Sequence, residues 1–202
     1  MSAVPLPPLP PTPESAESYR PGGSSIAEIV AREHQQLLAL LDQLTGPEAS
    51  PQGAPAVLTA ALSRHLSAEE QYLLPAVRAA LPTAAERVDA EVDADAALLT
   101  TLKGMTDETL TEVAERVRRH VDGVDALVTE LCTVATREEM IRLGNRLEIA
   151  EEAAPTRPHP STPGTPPWNR VVEPAVGVVD KVLDTLTGRP TRLADLPEPP
   201  RG

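Results

Sequence analysis

The side chains best suited to chemistry are His34, His65 and His120, each set in the apolar seam of an expected helix, with Glu69 following His65 by one turn. An imidazole taken from water needs partners for both ring nitrogens, so apolar seams seldom carry one. His65 and Glu69 are spaced i, i+4 and share one helical face. Nitrogen and carboxylate donors at matched heights inside a helical bundle make a metal centre, and this donor mixture suits iron, manganese or zinc. The expected ligands are His34, His65, Glu69 and His120. Asp95, on a further seam, is expected as a fifth ligand or as an acceptor behind a ligating imidazole. Glu33, Glu70, Glu91 and Asp125 flank the seams and are expected to face water, and Tyr72 to take a core position with its hydroxyl at the bundle rim. The competing reading is a metal-free core in which Glu69 and Asp95 satisfy the histidines.

Helices must position these groups. Ser25 with Glu28 forms a capping-box pair, and Ile26, Val30, His34, Leu37, Leu41 and Leu44 then recur at three- and four-residue steps. Gly46-Pro47 opens a loop that runs to Gly53. A second helix from about Pro55 carries Leu58, Leu62, His65, Glu69, Tyr72 and Ala76, with a kink expected at Pro75. Thr83 with Glu86 caps a third helix bearing Val88, Val92, Asp95, Leu99 and Leu102, which stops at Gly104. A fourth opens near Thr106 or Asp107 and carries Leu110, Val113, Val117, His120, Val124, Leu127 and Leu131. Thr136 with Glu139 starts a fifth through Met140, Leu143, Leu147 and Ala150, unless it continues the fourth after a bend.

These elements specify an all-α protein: an up-down-up-down four-helix bundle with an additional C-terminal helix and proline-rich disordered tails. The expected organisation is a tail over 1–23, a bundle over 24–153, a proline-rich linker over 154–170, a short amphipathic helix over 171–188 and a tail over 189–202. Residues 171–188 are expected to dock on the bundle through Val178, Val179, Val182, Leu183 and Leu186. The alternative is that this segment, or the proline-rich tails, engages a protein partner. A net charge of -12 and 1% aromatic residues argue against nucleic acid, which needs basic surface and stacking rings. No apolar run is long enough to span a bilayer and no export signal is evident, so a cytoplasmic setting is expected. The lone Cys132 excludes an intramolecular disulfide and is expected to pack as a small hydrophobe near a helix end.

The bundle repeats internally. EHQQLLALLDQL (33–44) aligns on EVDADAALLTTL (91–102), matching Glu33 with Glu91 and Leu41 with Leu99, while Arg64-His65 matches Arg119-His120. In that alignment His34 meets Val92 and Glu69 meets Val124. REHQQLLALLDQL followed by HLSAEEQYLLPAV resembles the first two helices of the hemerythrin-like HHE cation-binding domain family, over roughly residues 24–135.

The resemblance implies a non-haem iron centre, with His34, His65, Glu69 and His120 retained. It departs from the family pattern at Val92, where a histidine is expected, and at Val124, where a glutamate is expected. What it implies is therefore an incomplete di-iron ligand set, with the iron mononuclear or absent. The implied roles are binding or sensing of oxygen or another small diatomic, or metal handling. No further acid, base or nucleophile accompanies the cluster, so the reading is non-enzymatic, with peroxide or oxygen chemistry as the enzymatic alternative.

Overall fold

The computed structural model describes residues 21–47, 50–160 and 169–196, the side chains of 169–175 excepted. Helix α1 (Ile26–Thr45) starts on the expected capping box: the Ser25 hydroxyl accepts the Glu28 N–H, and Glu28 Oε2 accepts the Ser25 N–H at 2.7 Å. Helix α2 (Ala54–Ala68) opens after Gly53, whose φ of 90° suits glycine, with Pro55 in the first turn.

A π-helical turn, Glu69–Leu73, follows α2, and α3 (Leu74–Ala80) continues the rod. Pro75 has no N–H to offer and its ring clashes with the carbonyl four residues back. The wider turn, closed by the Leu74 N–H on the Glu69 carbonyl, accommodates it. The extra residue moves the apolar seam forward by one. Tyr72 and Ala76, the expected seam positions, are only partly buried, and Leu73 and Val77 fill the interior instead.

Pro82–Ala84 forms a 3-10 turn before α4 (Ala85–Lys103). Thr83 is inside that turn, so the expected Thr83–Glu86 capping box does not form and Ala84 takes the cap position. Helix α5 (Leu110–Val134) begins later than its sequence suggests, after a turn over 107–109. Helix α6 (Arg137–Ala153) is separate from α5, because Ala135 is extended and the Thr136–Glu139 capping box restarts the helix. Cys132 lies near the end of α5 but is exposed, since Leu127, Val128 and Leu131 take the interior positions.

The bundle is all-α, with α1, the α2–α3 rod, α4 and α5 as its four members. Helix α1 packs on α2 and α5, and α4 packs on α3 and α5. Helix α6 is added outside them, against α1, α2 and the π turn. Its Gly144 sits so close to the start of α1 that a Cβ would stand 2.5 Å from the Ser24 carbonyl oxygen.

The apolar interior falls into two layers. One gathers Ile26, Ile29, Val30, Leu73, Val77, Val88, Val124 and Leu127. The other gathers Leu37, Leu41, Leu58, Leu62, Leu98, Val113 and Val117. Each side chain of this size buried completely contributes about 1.5–3 kcal/mol. Between the layers come the polar positions His34, Asp95 and His120, each flanked along its own helix by a residue of either layer.

Helix α7 (Asn169–Thr187) packs on α6, reached through an irregular segment in which Ala154, Pro155 and Thr156 are buried. Residues 189–196 do not trail away. Arg189 donates to the Ala56 carbonyl, and Arg64 donates to the Thr191 carbonyl at 2.9 Å. Expectations for residues 1–20, 161–168 and 197–202 lie outside the described residues. No helix among the described residues is long and apolar enough to cross a membrane.

Candidate metal centre

Three helices deliver one imidazole each to a common interior point. His34 comes from α1, His65 from α2 and His120 from α5, and all three are buried. His34 Nε2 lies 3.1 Å from His65 Nε2, and His120 Nε2 lies 3.4 Å from the same atom. Glu69, fully buried at the start of the π turn, directs its carboxylate at the three nitrogens. Its oxygens stand 3.4 Å from His65 Nε2, 3.2 Å from His120 Nε2 and 3.9 Å from His34 Nε2. One donor atom from each of these four residues lies within 4.8 Å of all the others.

The far nitrogen of every ring meets a carboxylate from a neighbouring helix. Asp125 of α5 lies 2.8 Å from His34 Nδ1, Glu33 of α1 lies 2.9 Å from His65 Nδ1, and Asp95 of α4 lies 2.9 Å from His120 Nδ1. In His34 and His65, an Nδ1–H held by its acceptor leaves Nε2 as the lone-pair nitrogen, aimed inward. His120, with a carboxylate on each side, favours its charged form. This is the arrangement in which outer carboxylates orient ligating histidines and raise their basicity.

Asp95 therefore occupies the outer position of the two anticipated for it, behind His120 and outside the converging four. Glu33 and Asp125 were expected to face water; Glu33 is instead mostly buried, and the half-exposed Asp125 keeps one oxygen on His34. Glu70 is buried in the π turn, and Glu91 is largely buried with an oxygen 4.0 Å from His120 Nδ1. The internal repeat held the signal for two of these. It pairs Glu33 with Glu91 and His65 with His120, and in both halves the glutamate of the first helix faces the histidine of the second.

The electrostatics follow from crowding charge in a dry space. Burial, reinforced by the neighbouring His65, pushes His34 down to about 4. Burial alone would raise Glu69, but the three histidines outweigh it and hold the carboxyl at about 2. Burial opposes the charge on His120, yet Asp95 and Glu69 on its two sides raise it well above the ordinary imidazole range. Burial raises Asp95, with His120 working the other way. These shifts favour an ionised Glu69 beside a charged His120.

One observation tests directly whether these residues suit a cation. Both Glu69 oxygens are closed to water and face only the three imidazoles, the nearest being His120 Nε2 at 3.2 Å. A carboxylate sealed from water needs a positive charge beside it, from a protonated imidazole or from a bound cation. Three convergent imidazole nitrogens and that carboxylate fit a metal ion.

Residues 25–132, just over half of the chain, match the hemerythrin HHE cation-binding domain. The chain belongs to this family. No curated protein and no solved structure matches it. The hemerythrin HHE match covers α1 to α5 and ends before α6, so Glu151 of α6, which lies beside Glu33 and His65, is supplied from outside the family domain. At the positions where the repeat would place a second set of ligands, Val124 is buried in the apolar layer, and Val92 lines a cavity of about 70 Å³ with Ala96 and Leu99. Among the described residues, the four-residue set is therefore His34, His65, Glu69 and His120, with valines at the two positions where the repeat would complete a second.

Proposed function

We propose that this hemerythrin HHE domain binds a single metal cation, iron being the first candidate, and uses it to bind or sense oxygen or a related small molecule, or to handle the metal itself. The observation that carries the reading is the convergence of His34, His65 and His120 Nε2 on a Glu69 carboxylate that has no other partner. These four residues would hold the ion, and Asp95, Glu33 and Asp125 would fix the imidazoles that face it. A bound iron with three imidazoles and one carboxylate keeps coordination positions free for a small ligand.

The protein's own part is to seal the four side chains from water, all of them being buried. A cavity of about 160 Å³ lies on the Nδ1 side of His65, lined by Glu33, Leu37, Leu40, Arg64, Glu151 and Leu193, and none of His34, Glu69 or His120 lines it. We read the role as binding rather than turnover, in a cytoplasmic setting; peroxide or oxygen turnover is the enzymatic alternative. In the metal-free alternative, Glu69 and Asp95 would hold a protonated His120 between them.

Metal analysis of untagged protein purified with iron supplied tests the reading. One equivalent per chain is expected, falling at least tenfold in Glu69→Ala and His65→Ala. Stoichiometry far below one, and indifferent to both substitutions, would remove the metal from this proposal.

A further inference from the structure

Helix α7 turns its polar residues toward the protein and its apolar residues away. At Gly177 a Cβ would stand 2.1 Å from the Ala153 carbonyl oxygen, so glycine is what admits this close approach to the end of α6. Asp180 is buried, accepts the N–H groups of Thr156 and Arg157 at 3.1 and 3.0 Å, and pairs with His159. Asp184 is also buried and accepts from Arg157 at 2.7 Å, from Arg189 at 3.1 Å and from the Thr156 hydroxyl. Rolling the helix to bury its aliphatic side would strip two carboxylates of these partners. The network therefore fixes the rotation.

The consequence is an outward face of Val178, Val179, Val182, Leu183 and Leu186, between 43% and 77% exposed. The expected docking through these residues does not occur. We propose that this face pairs with the same face of a second copy of the chain, α7 against α7 across a two-fold axis.

Three features select that occupant. Val179, Val182 and Leu186 follow the alternating three- and four-residue spacing that one helix presents to another, and the sequence carries the spacing back to Val172 and Ala175. A partner helix is thus the matching shape. The face is also uncharged. Asp180 and Asp184 point inward onto Arg157, Arg189 and His159, and Lys181 reaches back to Glu152. An acidic or basic partner would find nothing to pair with, whereas a second copy brings an identical apolar stripe and satisfies the self-complementarity of a two-fold contact. It does so without placing the acidic surface of the chain, net -12, across the join.

The third feature is area. Five aliphatic side chains this exposed form a patch on the order of 500 Å², at the upper end of what monomers leave in water. Two such patches bury on the order of 1,000 Å², the threshold of a specific interface. The dimer is accordingly one that concentration controls.

Sedimentation velocity of the full chain across low- to high-micromolar concentrations tests this. The expected result is a reversible shift from monomer to dimer, weakened at least tenfold by Val182→Asp and by Leu186→Asp, with unchanged helical circular dichroism and melting temperature of the dilute monomer. Two separate exposed positions guard against one variant misfolding. A wild-type chain that stays monomeric throughout, or a dimer undiminished by both substitutions, overturns the proposal. A monomer that associates only after residues 1–20 are removed overturns it too, by making that segment the occupant.

Discussion

Asp95 Oδ1 stands 2.9 Å from His120 Nδ1 while Nε2 of the same ring faces Glu69 at 3.2 Å, and all three side chains are closed to water. The imidazole is thus held between two buried carboxylates. One belongs to the converging donor set and the other only orients the ring.

That division predicts graded effects. Asp95→Asn keeps the shape but removes the charge behind His120, and is expected to weaken metal binding by about 10–100-fold. Asp125→Asn should cost less, because Asp125 is 53% exposed and water can stand in for it. Competition against a coloured chelator measures both. An Asp95→Asn variant with wild-type affinity would remove the outer carboxylate from the picture.

Metal and fold should be linked. A cation bound only by the folded chain stabilises it by about 2.7 kcal/mol when present at a hundred times its dissociation constant. For a chain of this length that is a rise in melting temperature of roughly 5–10 °C. Thermal melts with iron and with chelator should show the gap in the wild type and none in His65→Ala.

A pH effect should come from the acids beside His65. Burial, then the neighbouring Glu33, pushes Glu151 up to about 8, and burial pushes Glu33 up to about 7. Both values lie above the ordinary 4.5, so between pH 4.5 and about 8 the folded state binds more protons than the unfolded state. The contribution of these groups is complete below 4.5 and lost as pH rises through 7 to 8. His34, pushed down to about 4, acts oppositely and loses stability as pH falls below 6.5, so a difference measurement is needed. In metal-free protein, the melting temperature of Glu151→Gln minus that of wild type should be near zero at about pH 5 and positive by about pH 8.5. A difference that does not change with pH would contradict the raised titration of Glu151.

The helix caps give a stability test independent of metal. Ser25→Ala and Thr136→Ala each break a formed capping box and should cost about 1 kcal/mol. Thr83→Ala, at a position where the box fails to form, should cost almost nothing. Denaturant titration distinguishes the two groups.

Much of the site was legible in the chain. Three- and four-residue spacing defined the helical faces of α1, α2, α4 and α5 and put His34, His65 and His120 on them, because the interior side of a helix is a local property. The i, i+4 step from His65 to Glu69 was local as well. Where a second residue competed for the same backbone, pattern reading failed. Pro75 forced a π turn that shifted the seam from Tyr72 to Leu73, and Pro82 drew Thr83 into a 3-10 turn.

By itself the sequence determined the all-α bundle, its hemerythrin HHE kinship and the four polar residues that meet in its interior. Tertiary structure alone decided which nitrogen of each ring faces the centre. That choice rests on Glu33, Asp95 and Asp125, each on a different helix from the histidine it holds, at separations no local pattern encodes. It also decided the roll of α7. The apolar stripe there is a strong periodic signal for burial, but two aspartates with partners on the preceding segment turn it outward. Periodicity ranks the faces of one helix against water; it does not weigh them against charged groups that the chain brings in from elsewhere.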